Sequence, residues 1–194
     1  MADANGSRIY ALETPDNTIA QIIAENMKKK PGHRVAAFLC SQAKEGLKSA
    51  KSIFPTLAAQ LARNDSKFLS KLEKSLQQFV RNQRLASGLS LKFHVNKFIV
   101  DPLDKTSSTI TLIVIDALNE CKEHDNHMLT LLQALKGGFS FEYQERGLKF
   151  LITFHSHTKS FRSWCSKVEA KHITISPLDS GSSRAEARDP GPGL

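Results

Sequence analysis

The segment Thr109-Ile-Thr-Leu-Ile-Val-Ile115, closed by Asp116, decides the fold class. It is apolar and β-branched over a strand's length, which is typical of a strand buried on both faces of a sheet. Two further runs have the same character, Arg34-Val-Ala-Ala-Phe-Leu-Cys40 and Gly147-Leu-Lys-Phe-Leu-Ile-Thr153. Because all three are continuous rather than alternating, the sequence predicts a parallel sheet with its strands buried on both faces.

Helical patterns separate these strands. The first predicted helix begins with Pro15 at its N1 position, places Ile19, Ile22, Ile23 and Met27 on one face, and stops before Pro31. Residues 65–84 carry an apolar stripe made of Phe68, Leu69, Leu72, Leu76, Phe79 and Val80. The remaining predicted elements are helices at 52–63, 90–103, 127–136 and 158–167 and short strands at 7–12 and 172–176. This alternation predicts a three-layer α/β domain, a parallel sheet covered by helices on both faces.

Composition sets the domain boundaries and the compartment. With 194 residues, 40% of them hydrophobic and 24% charged, the chain has the make-up of one globular domain. We expect that domain at 8–178, after a flexible stretch at 1–7 and before a disordered Ser/Gly/Pro-rich tail at 179–194. No apolar run is long enough for a membrane span and no secretory signal is visible, so the expected location is intracellular and cytoplasmic.

Cysteine content and net charge indicate the expected redox state of the thiols and which partners are disfavoured. Cys40, Cys121 and Cys165 are too few for a disulfide framework, so free thiols are expected, with Cys40 and Cys165 as buried fillers. Lys+Arg 27 against Asp+Glu 19 gives a net charge of +8. The basic residues are spread over every predicted helix without interleaved aromatics, which disfavours nucleic acid as a partner.

The strand end at Asp116 carries the clearest chemical signal. In Ile113-Val-Ile-Asp116-Ala-Leu-Asn-Glu120-Cys121, an apolar strand ends in one acid and a second acid follows four residues later. This is the acidic-strand (Walker B) pattern of P-loop NTPases, in which Asp116 would hold Mg²⁺ and Glu120 would polarise an attacking water. The structural alternative is that Asp116 only caps the strand and Glu120 is solvated. Ligands of parallel sheets bind beyond the carboxyl ends of the strands, which also points to residues 153–155 and to the turn before the first helix.

Several collinear segments share a resemblance. Thr111-Leu-Ile-Val-Ile-Asp-Ala-Leu-Asn-Glu-Cys121 resembles the fungal NACHT-type, nephrocystin 3-like N-terminal domain of the STAND class, usually written V-I-D-A-L-D-E-C at this place. The resemblance extends over about 8–178 through segments at 18–25, 34–42, 54–62, 98–103 and 148–153. It implies a P-loop NTPase fold with Mg-ATP or Mg-GTP as cofactor. It also implies nucleotide positions at Thr18, Asp116 and Glu120 and a sensor position at His155.

The departures from that family pattern decide the expected function. The phosphate loop should fall at Leu12-Glu-Thr-Pro-Asp-Asn-Thr18, which has no glycine, has Asp16 at the lysine position and has Pro15, which lacks an N–H donor. Asn119 stands where the family has Asp, His155 stands where it has Arg, and the chain ends soon after the last predicted strand.

These departures predict a degenerate, truncated NACHT-like domain without NTP hydrolysis, with a binding or regulatory role and with no confident catalytic residue. Two alternatives stay open. One is a residual ATP- or GTP-binding fragment of a STAND-type signalling protein. The other is a protein-interaction module that self-associates or docks on an intact relative through its apolar helix stripes.

Two weaker site hypotheses concern histidines. Cys121-x₂-His124-x₂-His127 has a spacing that suits zinc, with Asp125 or Glu120 as the nearest fourth ligand, but a polar loop explains it as well. His155 and His157 could offer a general base, but no nucleophile is paired with either in the sequence. We therefore expect no metal beyond Mg²⁺ at Asp116.

Overall fold

The structure, a computed structural model, describes residues 9–14, 18–44, 47, 49–81, 90–103, 109–121, 130–131, 133–135, 147–155 and 171–174. Its strands are β1 Ile9–Thr14, β2 His33–Leu39, β3 Ile110–Asp116, β4 Leu148–His155 and β5 Lys171–Thr174. Its helices are α1 Thr18–Lys28, α2 Ala50–Asn64, α3 Ser66–Arg81 and α4 Leu91–His94, with a π-helix at Val95–Val100 and a 3₁₀ helix at Leu118–Glu120.

The strands form one parallel sheet in the order β2-β3-β4-β1-β5. β3 lies inside the sheet and is buried from Thr111 to Asp116. Helices pack against both faces of the sheet, so the predicted α/β class with a parallel sheet is confirmed.

The pleat of the strands divides the core into two clusters. Ile113 and Ile115 face α2 and the π-helix, whereas Leu112 and Val114 face α1. Among the described residues, the α1 side includes small residues such as Ala20 and Ala24. The opposite side contains five buried aromatic rings, namely Phe38, Phe54, Phe68, Phe150 and Phe154. This division is the three-layer arrangement that alternation of strands and helices predicts.

The prediction that the run at 34–40 is buried on both faces is wrong. β2 stands at the end of the described sheet, most of its residues are only half-buried, and Leu39 is 42% exposed. Its outer edge is covered by the carboxamide of Gln60 on α2. That amide accepts from Ala37 N at 2.9 Å and donates to Ala37 O at 2.8 Å. Gln60 thus takes the place of a neighbouring strand's peptide and blocks the edge.

Side-chain caps fix where the helices begin. Ser49 Oγ accepts from Lys51 N at the start of α2, and Ser90 Oγ accepts from Phe93 N at the start of α4. At the start of α3, Asp65 Oδ1 accepts from the backbone N–H groups of residues 67 and 68. Asp65 also pairs with the guanidinium of Arg34 on β2, so the cap anchors α3 to the sheet.

Two predictions about the apolar helices need correction. Leu69 is 41% exposed rather than part of the α3 stripe, because Phe68 and Leu72 one turn apart already define the face that packs inward. The predicted helix at 90–103 is regular only to His94 and then widens into the π-helix. There Asp101 N donates to Asn96 O at 2.8 Å, and Ser75 of α3 donates to the carbonyl of Lys97.

Several predicted elements fall wholly or partly outside the described residues. Of the predicted helix 127–136, residues 130, 131 and 133–135 are described and helical. The Pro15 helix start, the helix at 158–167, the flexible stretch 1–7 and the tail 179–194 lie outside. In the described part of the chain, none of the helices has the length and apolar character needed to cross a membrane.

Candidate functional site

The carboxyl ends of β1 and β4 form the point where the chain connections of the sheet diverge. The two strands are neighbours, and Thr14 is in register with His155. From β1 the chain crosses to β2 at one end of the sheet, whereas from β4 it crosses to β5 at the other end. Such a switch point leaves a crevice above the sheet, which is where parallel α/β domains bind ligands.

Asp116 and Thr153 meet at this edge on adjacent strands. Both side chains are buried, with Asp116 8% and Thr153 1% exposed. The Thr153 hydroxyl donates to Asp116 Oδ1 and accepts from the backbone N–H of Ala117 at 2.9 Å. One hydroxyl therefore holds both the carboxylate and the first peptide after the strand, which satisfies two buried polar groups at once.

A left-handed turn at Ala117 follows Asp116 directly. Its φ of 52° and ψ of 45° make it the one non-glycine residue with positive φ among those the structure describes. The turn is closed by Glu120 N, which donates to Ala117 O at 2.8 Å. This conformation is unfavourable for an L-residue, so the surrounding hydrogen bonds have to maintain it. It directs the chain into the 3₁₀ helix, which keeps the half-buried Glu120 near the end of β3.

Two cysteines lie beside these acids. Cys40 follows β2 and donates its backbone N–H to Asp116 O at 2.9 Å, and its Sγ is 2.9 Å from Cys121 Sγ. Neither cysteine is in a disulfide, and both are buried. The shared hydrogen bond with Cys121, burial, and the negative charges of Asp116 and Glu120 raise the pKa of Cys40 far above its usual range. The predicted burial of Cys40 is confirmed, and Cys165 lies outside the described residues.

The backbone brings the other candidate positions to the same edge. Thr18 is the first residue of α1 and His155 the last of β4, and the structure describes neither side chain. His124, Asp125, His127 and His157 are outside the described residues. Within the described ranges, no three His, Cys, Asp or Glu side chains form a group that could hold a metal ion.

A buried histidine lies on the helical side of the core. His94 ends α4 and is 7% exposed, and its Nδ1 has no hydrogen-bond partner. Its ring packs against those of Phe93 and Phe98. Burial and, secondarily, the positive charge of Lys51 lower the pKa of His94 below its ordinary value. His94 was not predicted from the sequence, because a histidine among helical apolar residues gives no pattern of its own.

The role of Thr153 and the contact between Cys40 and Cys121 were not predicted from the sequence either. Both depend on register. Ile115 pairs with Ile152, so Asp116 and Thr153 come next on adjacent strands, and Leu39 pairs with Asp116, so Cys40 follows at the same edge. A signal existed in each case. Thr153 closes an apolar run as Asp116 does, Cys40 is the last residue of another such run, and Cys121 follows five residues after Asp116.

Comparison with known proteins identifies the family of this chain. No curated protein matches the chain. The family model described as Nephrocystin 3, N-terminal, matches residues 17–154, which is more than half of the chain. The matched stretch runs from the start of α1 almost to the end of β4, and so contains Asp116, Glu120 and Thr153. The chain therefore belongs to the nephrocystin 3 N-terminal family.

Proposed function

We propose that this protein is a degenerate P-loop, NACHT-like domain of the STAND type that does not hydrolyse nucleoside triphosphates and has a binding or regulatory role. The strand arrangement supports the P-loop part of the proposal. A helix that begins at the switch point directs its N-terminal N–H groups toward the site where P-loop proteins bind phosphate. In this chain α1 occupies that place, and Asp116 occupies the neighbouring acidic position.

The short connection between β1 and α1 is the main support for the proposed loss of NTP hydrolysis. β1 ends at Thr14 and α1 begins at Thr18, so only Pro15, Asp16 and Asn17 join them. A phosphate loop of the G-x-x-x-x-G-K-[ST] type needs more residues than this to wrap a triphosphate, and it needs glycines for the wrapping conformation. Mg-ATP and Mg-GTP therefore do not fit the residues present.

Negative charge at this edge of the sheet also opposes the binding of a triphosphate. A phosphate loop neutralises the triphosphate with a lysine, but the corresponding residue is Asp16, and Asp116 and Glu120 add negative charge at the same edge. Each lost charge-assisted hydrogen bond costs about 1.5–3 kcal/mol. Losing two or three of them moves a micromolar nucleotide site to millimolar dissociation constants or weaker.

Thermal-shift titration with Mg-ATP and Mg-GTP tests the proposal. A ligand present at about 100 times its dissociation constant stabilises the fold by about 2.7 kcal/mol, which shifts the melting temperature of a domain of this size by several degrees. We expect no shift at micromolar nucleotide and no release of phosphate. A shift at micromolar nucleotide would contradict the proposal.

A variant that partly restores a phosphate-loop sequence gives a matched control. The triple variant Pro15→Gly, Asp16→Lys, Asn17→Ser supplies a glycine, a lysine and a hydroxyl in the order that a phosphate loop uses. We expect it to bind Mg-nucleotide more tightly than the parent chain, and Asp116→Asn added to it should reduce that gain. If the triple variant binds no better than the parent, the residue types at positions 15–17 are not the cause of the lost nucleotide affinity.

A residual nucleotide-binding function is the second candidate, favoured by the ordered carboxylate of Asp116. It predicts a weak, Mg-dependent shift in the parent chain that disappears in Asp116→Asn. The interaction-module alternative has less support, because the exposed large apolar residues in the described ranges, Ile22, Leu39 and Leu69, lie on three different elements. Light scattering over a concentration series tests the self-association form of that alternative, since self-association raises the mass with concentration.

A further inference from the structure

The Cys40 and Cys121 thiols are held together by two independently anchored backbones. The backbone of Cys40 is fixed by its N–H bond to Asp116 O, and that of Cys121 by its N–H bond to Leu118 O at 3.1 Å. The two sulfurs are 2.9 Å apart, although the residues are 81 positions apart in sequence. The pair therefore joins the end of β2 to the segment that follows β3.

We propose that Cys40 and Cys121 are a redox pair that forms a reversible intramolecular disulfide. A disulfide requires an S–S distance of about 2.05 Å, so the sulfurs must approach by roughly 0.9 Å from their present contact. Each cysteine lies next to a segment end rather than within a strand, at Leu39 and at Glu120, so this approach requires no change in strand register.

The oxidant is a small-molecule disulfide of the glutathione type. The exposed fraction of each cysteine decides which of the two reacts first. Cys121 is 7% exposed and Cys40 is fully buried, so Cys121 reacts first. Its sulfur attacks the reagent disulfide, forms a mixed disulfide and releases one reagent thiol. The Cys40 sulfur then attacks Cys121 Sγ, forms the internal bond and releases the second thiol. The two cysteines lose two electrons and two protons, and the reagent gains them.

The bond would tie the segment carrying Glu120 to the end of β2 and so restrict movement at the carboxyl edge of the sheet. It would also close a long loop and restrict the unfolded chain. In the loop-entropy model this raises the melting temperature by roughly 10 °C. This inference does not depend on nucleotide binding, because oxidation and stability are measured without nucleotide.

Mass spectrometry of the folded protein tests the proposal in a Cys165→Ser background, which leaves only the pair. The protein is incubated in glutathione buffers of increasing oxidised fraction, quenched with acid and alkylated. We expect a species two hydrogen atoms lighter, with residues 40 and 121 in one cross-linked peptide, and its reversal by dithiothreitol. Two alkylated thiols in the most oxidising buffer, or a cross-link that forms only in urea, would overturn the proposal.

Single-cysteine variants test the order of the steps. Cys40→Ser in the same background should stop at the mixed disulfide and carry the mass of one glutathione on Cys121. Cys121→Ser should leave Cys40 unmodified over the same time, because that thiol is fully buried. Equal modification of both variants would refute the assigned order. The result on the Cys165→Ser parent stands even if a further serine substitution impairs folding.

Discussion

Replacing Thr153 by Val removes the hydroxyl that organises the strand end at Asp116. The side chain keeps its shape and its burial, so packing in the sheet is little changed. Two hydrogen bonds disappear, the one donated to Asp116 Oδ1 and the one accepted from Ala117 N. The substitution therefore measures what the polar junction of β3 and β4 contributes to stability.

The expected cost follows from these two bonds. A hydrogen bond to an ionised carboxylate contributes about 1.5–3 kcal/mol, and a buried N–H left without its partner costs about 1–3 kcal/mol. We expect Thr153→Val to lower the free energy of unfolding by about 3–5 kcal/mol. For a domain of this length that is a fall of about 10 °C in melting temperature. Typical domains are stable by about 5–15 kcal/mol, so the variant should still fold.

Thr111→Val is a matched control on the neighbouring strand. Thr111 is 1% exposed, like Thr153, but its Oγ1 has no hydrogen-bond partner. The same substitution there removes an unsatisfied buried group and should be neutral or stabilising. Thr153→Ser keeps the hydroxyl and should lose far less than Thr153→Val. Urea unfolding measures all three variants. If Thr153→Val costs no more than Thr111→Val, the junction does not hold the strand end as described.

Three further predictions address other features of the fold. Gly147→Ala should cost at least 1 kcal/mol more in urea unfolding than Gly32→Ala. Both glycines have positive φ, but a Cβ at Gly147 would lie 3.1 Å from Thr109 O, whereas nothing lies within 4 Å at Gly32. Gln60→Ala should cost about 1–2 kcal/mol and increase aggregation, because it uncovers the edge of β2, and unchanged solubility and stability would contradict this. For His94 the folded pKa lies below the unfolded value of 6.5, so the unfolded chain takes up the proton first as the pH falls. The free energy of unfolding should therefore be highest above pH 6.5 and decrease below it. His94→Gln should make that decrease smaller.

The strands could be read from the sequence because a parallel sheet buries its inner strands on both faces. β3 and β4 satisfy that condition, and their apolar runs match the strands almost residue for residue. β2 shows the limit of the pattern. Its run is as apolar as the others, yet it lies at the edge of the sheet that the described residues form, where Gln60 of α2 covers it. Strand order depends on pairing between distant segments, which local hydrophobicity does not encode.

The candidate site was predictable in its parts but not in its contacts. Asp116 could be placed because an acid that closes an apolar strand is a local pattern. The position of Thr153 opposite Asp116, and that of Cys121 against Cys40, require the register of strands far apart in sequence. The π-helix and the exposure of Leu69 were missed for a related reason. Helical periodicity identifies an apolar stripe, but packing partners decide which of its members turn inward.

The presence of Asp116 has an explanation that does not involve nucleotide. Its carboxylate accepts from Thr153, and its carbonyl accepts from Cys40 N. The peptide that follows it is held by the same threonine in a left-handed turn that leads to Glu120. Removing the carboxylate would leave the Thr153 hydroxyl without its acceptor inside the core, which is costly whether or not any phosphate binds. An acidic strand end is therefore weak evidence for NTP hydrolysis when Pro15, Asp16 and Asn17 stand at the proposed phosphate-loop position.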